Sequence, residues 1–254
     1  MFRSWKYAVA GPALLLLLSG GCKTIRPASL FYLIQAGYDA EFLLRLTVDS
    51  FNGLRNRSAR IGSNRTTNAE FFRVVKLISE VQGVAGISMR IEEDEKKQQT
   101  TVIFFRRDDV QPEIAGKLKE IRELLGLPGD AHEFKLVYSA IKGRPGELAM
   151  GTRSMLQVLG ALSDGVDIPE MHLERNLVPP NRDTNSAERP LLRIRSGDSP
   201  PDDTFIAVKY EDAWFWIDNS DWASKRTIVA IMFLFTLADT GEQESLPMIT
   251  IPAQ

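Results

Sequence analysis

The sequence predicts an α+β fold of two layers, with antiparallel hairpins packed against helices and two subdomains as a further option. Three observations carry that expectation. Apolar side chains recur at helical spacing over residues 71–81 and 114–125. The period drops to about two over 87–105 and again over 205–218. Each period-two region holds two runs joined by a short polar segment, which reads as a hairpin.

The elements follow in order. Residues 29–55 are rich in Leu, Phe and Ala without proline and read as one or two helices. A break at Gly62-Ser63-Asn64-Arg65 precedes Thr67-Asn68-Ala69-Glu70, which fits a capping box. The helix it opens carries the stripe Phe71, Val74, Val75, Ile78 and Val81, and Gly83 stops it. Ile87, Met89 and Ile91 alternate with Ser88 and Arg90; past a charged tip, Thr100 to Phe105 forms the return strand. Asp109 and Pro112 mark the next helix, with Ile114, Leu118, Ile121 and Leu125 inward and Gly126 as its stop.

Phe134 to Ile141 is a further strand, turned at Gly143-Arg144-Pro145-Gly146 into the short segment Glu147 to Met150. Thr152-Arg153-Ser154 starts a helix that runs through Leu162. Residues 179–203 hold five prolines and read as a loop or linker, interrupted by a strand at Leu191 to Arg195. Phe205 to Tyr210 and Ala213 to Asp218 form a tight hairpin. A helix from about Ser220 to Asp239 and a strand at Met248 to Ile251 close the chain. Thr227 to Ala238 is apolar almost all round, but twelve helical residues rise about 18 Å against a hydrocarbon layer of roughly 30 Å. A buried core helix covering the hairpin is therefore expected.

The amino terminus supplies an address. Arg3 and Lys6 precede an apolar run from Ala8 to Leu18, the length of a signal core, and the run closes on Leu18-Ser19-Gly20-Gly21-Cys22. This order resembles the lipobox of bacterial lipoproteins, although Ser19 stands where a branched apolar residue is usual. The resemblance implies that residues 1–21 are removed, that Cys22 receives diacylglycerol, and that the mature chain is membrane-tethered outside the cytoplasm. Lys23, rather than Asp, after the cysteine implies the outer membrane over the inner one. Cys22 is the single cysteine of the chain, so the mature body has no disulfide, Cys-based metal site or cysteine nucleophile. The remainder divides into a tether and helical segment at 22–66, an α+β region at 67–178, the Pro-rich stretch at 179–203, and a hairpin-helix-strand unit at 204–254.

Thr152-Arg153-Ser154-Met155-Leu156-Gln157 and Tyr210 to Asp218, with Ser224-Lys225 after them, are similar to a family of uncharacterised bacterial envelope proteins. The resemblance covers about the last 100 residues and implies no activity, only that the two motifs belong to one unit.

Composition excludes more than it assigns. A formal charge of -2 from 31 basic and 33 acidic residues offers nucleic acid no basic surface. Catalysis by a Ser-His-acid group requires His132 or His172 as base, and neither neighbours a glycine-framed serine. Ser224 and Lys225 are adjacent on a helix and diverge by about 100°. The Glu92 to Glu95 run is followed by Lys96 and Lys97 and reads as a solvated tip, and no glycine-rich loop follows a strand as a nucleotide cradle. Asp218 and Asp221 read as helix-start charges. No metal or cofactor is expected.

Two functions of different class remain. One is a non-catalytic envelope module that binds a protein, lipid or glycan through the aromatic hairpin. The other is a hydrolase using carboxylates drawn from Glu170, Glu174, Asp218 and Asp221. For the first, a turn at Glu211-Asp212 pairs Lys209 with Trp214 and Ala207 with Trp216, setting Trp214, Trp216 and Lys209 on one face. Ile206, Val208, Tyr210, Phe215 and Ile217 share the other, expected to lie under the apolar helix.

Overall fold

The computed structural model describes residues 24–56, 68–93, 99–106, 111–178 and 190–239, with side chains to residue 237. The signal segment, Cys22, the break at 62–65, Thr67, the part of the charged tip from Asp94 to Lys97, Asp109 and the strand at 248–251 lie outside the described residues. The described chain is α+β, with one six-stranded sheet and one three-stranded antiparallel sheet.

Helix α1 (Pro27–Gln35) begins on a proline, whose fixed φ suits a first helical turn. Helix α2 (Ala40–Thr47) starts where the Asp39 carboxylate accepts the Phe42 N–H at 2.9 Å. Beyond it the expected helix gives way to a hairpin, β1 (Val48–Phe51) and β2 (Leu54–Arg55). The cause is Asn52-Gly53, whose φ values of 46° and 92° are those of a tight turn that few residue pairs adopt.

Helix α3 (Ala69–Gln82) is capped by Asn68, whose Oδ1 accepts the N–H groups of Glu70 and Phe71. Its whole predicted stripe is buried. Strands β3 (Ile87–Glu93) and β4 (Gln99–Phe105) pair in register from Ile87 opposite Phe105 to Glu93 opposite Gln99. Helix α4 (Pro112–Leu124) follows Gln111 and lies beside α3, tied by a two-bond contact of Arg73 with Glu120 at 2.6 and 2.7 Å.

Strands β5 (Glu133–Tyr138) and β6 (Glu147–Thr152) are parallel, not a hairpin. The connection from Ser139 to Gly146 reverses direction twice. Asn52 holds it midway: its Oδ1 accepts from Gly143 N at 3.0 Å and Ala149 N at 3.3 Å, while its Nδ2 donates to Leu125 O at 2.6 Å. The sheet order is therefore β2-β1-β6-β5-β4-β3.

Helix α5 (Met155–Leu162) opens with a full capping box between Ser154 and Gln157. Arg153, just before it, is 1% exposed, and its Nη1 donates to the carbonyls of Arg45 and Leu46 at 3.0 Å each. It thus satisfies the open carbonyl end of α2, where a cation also offsets the helix dipole. Burial pushes its guanidinium down to about 10, partly countered by Asp49.

The second sheet orders β7 (Arg195–Gly197), β9 (Ala213–Asp218) and β8 (Thr204–Tyr210). Residues 190–203 are built into this part of the fold: Leu192 is buried, and a Cβ on Gly165 would overlap the Leu192 carbonyl. Helix α6 (Glu170–Glu174) carries His172, which is buried.

The last helix, α7 (Trp222–Asp239), departs most from expectation. It is not buried all round. Ser224, Thr227, Ile231 and Leu234 face inward, while Trp222, Val229, Met232 and Phe233 are exposed. Its partners are Leu191, whose carbonyl accepts from Thr227 Oγ1 at 2.6 Å, Asp39 through Arg226, and Tyr38, stacked on Phe233. The hairpin meets it at its base, where Lys225 Nζ lies over the rings of Phe205 and Trp222. No helix among the described residues is long and apolar enough to cross a membrane. One core joins both motif regions, with Met155, Val158, Leu162, Ile217, Ile231 and Leu234 among its members.

Candidate functional site: the tryptophan face of the small sheet

The β8–β9 turn places Glu211 at φ 50°, and the Asp212 carboxylate beside it accepts from Arg175 Nη1 at 3.1 Å. The register is the one a two-residue turn dictates: Tyr210 opposite Ala213, Lys209 opposite Trp214, Val208 opposite Phe215, Ala207 opposite Trp216 and Ile206 opposite Ile217. On the other side of β9, Arg195 faces Trp216 and Gly197 faces Trp214.

Alternation then sorts the sheet into two faces. His172 packs on the first, 5.9 Å from the Phe215 ring and 6.2 Å from that of Tyr210. Ala213 and Ile217 are buried there, but on the edge strand Ile206, Val208 and Tyr210 are exposed. The expected cover by the apolar helix is thus replaced by α6, which reaches β9 and leaves much of β8 open.

The second face carries Trp214, Trp216, Lys209, Ala207, Arg195 and Asp218. Both tryptophans are half-buried and Lys209 is exposed. Trp216 is held in place: its indole Nε1 donates to Asp218 Oδ1 at 3.0 Å, and its six-membered ring lies over Gly197. The second Asp218 oxygen accepts from Arg195 Nε at 3.1 Å. Asp218 is therefore an anchor for Trp216 and Arg195 instead of a helix cap. Chemically, the face offers two indole surfaces flanked by an arginine and a lysine, a set suited to stacking, to holding an apolar anchor and to cation–π contact.

The other carboxylates of the hydrolase reading point to separate neighbours. Asp221 starts α7, accepting from Ser224 N at 3.2 Å and Ser224 Oγ at 2.8 Å. Glu170 and Glu174 are exposed on α6. Ser224 and Lys225 diverge, the serine accepting from Arg193 N and the lysine donating to Asn219. His132 lies far from them along the large sheet, in a groove of about 550 Å³ lined also by Ser88, Phe104, Arg106 and Glu133. Among the described residues no three His, Cys, Asp or Glu side chains gather as a metal site.

Sequence reasoning missed Arg195 and Asp218 as members of the tryptophan face. Their signal was the alternation itself, since Asp218 continues the 214, 216 series and β7 had only to be set beside β9. Comparison with protein-family models, curated proteins and solved structures finds no match.

Proposed function

We propose that this protein is a lipid-anchored component of the bacterial cell envelope, on the periplasmic side, that binds another envelope protein through the Trp214, Trp216 and Lys209 face. The anchor reading rests on the order of basic residues, apolar run and Leu18 to Cys22. The binding reading rests on one observation: Trp216 is fixed by Asp218 and Gly197 yet stays half-buried, so a large aromatic surface is pre-organised without being consumed by the core. Fixed aromatic side chains of this kind supply contact area at low entropic cost, which makes them strong binding anchors.

Two measurements test this. Metabolic labelling with a fatty-acid analogue labels the parent and not Cys22→Ser; equal labelling of both removes the anchor. A photo-crosslinking residue at position 209 yields an adduct in intact cells that Trp214→Ala with Trp216→Ala abolishes. An adduct unchanged by those substitutions removes the binding face.

A further inference from the structure

The amino-terminal chain is fixed to the body almost as soon as it leaves the anchor position. Thr24 forms an antiparallel bridge with Ser154. Ile25 is 3% exposed, and its carbonyl accepts from Thr152 Oγ1 at 2.7 Å. Between Cys22 and Thr24 stands Lys23 alone. Two residue steps span at most about 7 Å, and bridged Cα atoms lie about 4.5–5.5 Å apart. The Cα of Cys22 is thus within roughly 12 Å of that of Ser154. A diacylglyceryl group on the cysteine sits in hydrocarbon, beneath a headgroup layer about 5–7 Å deep. So short a tether keeps the first turn of α5 close to the membrane surface.

We infer that the end of the body formed by Thr24, Ser154, Leu156 and Gln157 is the face laid against phospholipid headgroups, an inference that rests on the lipid-anchor reading. Leu156 and Gln157 are exposed at that end, Leu156 by 53%. The two elements that meet there both lead away from it. Strand β6 arrives from Glu147, five steps or about 17 Å distant. Helix α5 departs over eight residues, about 12 Å. Its far end is joined to the small sheet, since Ile194 N donates to the Gly165 carbonyl at 2.8 Å, one residue before β7. Helix α5 is then a strut that sets the tryptophan sheet off from the lipid.

The test uses the full lipidated protein in vesicles of phosphatidylethanolamine and phosphatidylglycerol containing a lipid with a quencher near its headgroup. Leu156→Cys and Arg144→Cys are each labelled with bimane; Cys22, once its sulfur carries diacylglyceryl as a thioether, offers no thiol. Arg144 is exposed in the turn before β6. Because about 17 Å exceeds the headgroup depth, the label at 156 loses roughly twofold or more of its emission and the label at 144 keeps it. Flotation of the vesicles, read in the same samples, reports the anchor separately. Floating protein with equal quenching at both positions, or stronger quenching at 144, overturns the membrane-facing assignment and leaves the anchor standing. Protein that does not float, and is not labelled by fatty acid, overturns the anchor and this inference with it.

Discussion

Two adjacent side chains of α7 separate a one-sided helix from one buried all round. Leu234 is fully buried, whereas Phe233 is 39% exposed and lies parallel to Tyr38 with ring centres 6.3 Å apart. Leu234→Asp forfeits about 1.5–3 kcal/mol of burial. It also leaves a carboxylate without a partner inside the core, about 1–3 kcal/mol or more. Phe233→Asp loses the stack, about 0.5–1.5 kcal/mol, and part of a burial term, while its new charge reaches water. The expected gap is about 2–3 kcal/mol, or roughly 4–12 °C in Tm for a chain of this size. Thermal unfolding of the chain from Lys23 onward, followed by near-ultraviolet circular dichroism, reads it. Equal destabilisation by the two variants, or a larger effect at Phe233, would refute a helix with one inward stripe.

Three further outcomes are expected. Arg153→Met gives up two charge-assisted bonds of about 1.5–3 kcal/mol each and is relieved of part of that loss because no charge is then buried. Arg153→Ala adds a cavity cost of about 2–5 kcal/mol, so urea midpoints fall in the order parent, Met, Ala. Trp222 is 78% exposed, so Trp222→Phe removes the largest part of the acrylamide-quenchable emission. In that background Trp214→Phe and Trp216→Phe each lower the remainder; if neither does, the two tryptophans belong to the core. Hydrogen bonding from Arg73, with its charge second to desolvation working the other way, holds the Glu120 carboxyl below its usual range. A lowered folded value stabilises above the unfolded pKa and is lost as pH falls through the folded one, so exchange protection across α3 and α4 drops below about pH 4. Arg73→Met removes that acid-dependent share.

The periodic elements were readable because their signals are local. The α3 stripe from Phe71 to Val81 and the Ile87 to Phe105 hairpin occupy stretches long enough to display their period. The four residues of β1 are too few, and the Asn52-Gly53 turn signal sat unread within a leucine-rich run. The parallel pairing of β5 and β6 depends on Asn52, about ninety residues upstream of Gly143 and Ala149. Nothing adjacent to Arg153 in sequence marks it as the cap of a helix 108 residues earlier. At the candidate site, turn length set the register of Trp214 and Lys209, but not which element would cover each face. For α7, near-uniform apolar composition hid the side that faces water, because no polar stripe marks it.

The distant pairings also set an order of events during synthesis. Strand β1 waits for β6, and Ile25 waits for Thr152, 127 residues later. At about 5–20 residues per second the roughly 100 residues between β1 and β6 take about 5–20 s, during which the inner edge of β1 has no partner. Such an edge is a template for pairing with other chains. The closing of β6 is thus the step that retires this hazard, and a chain interrupted before Thr152 keeps it.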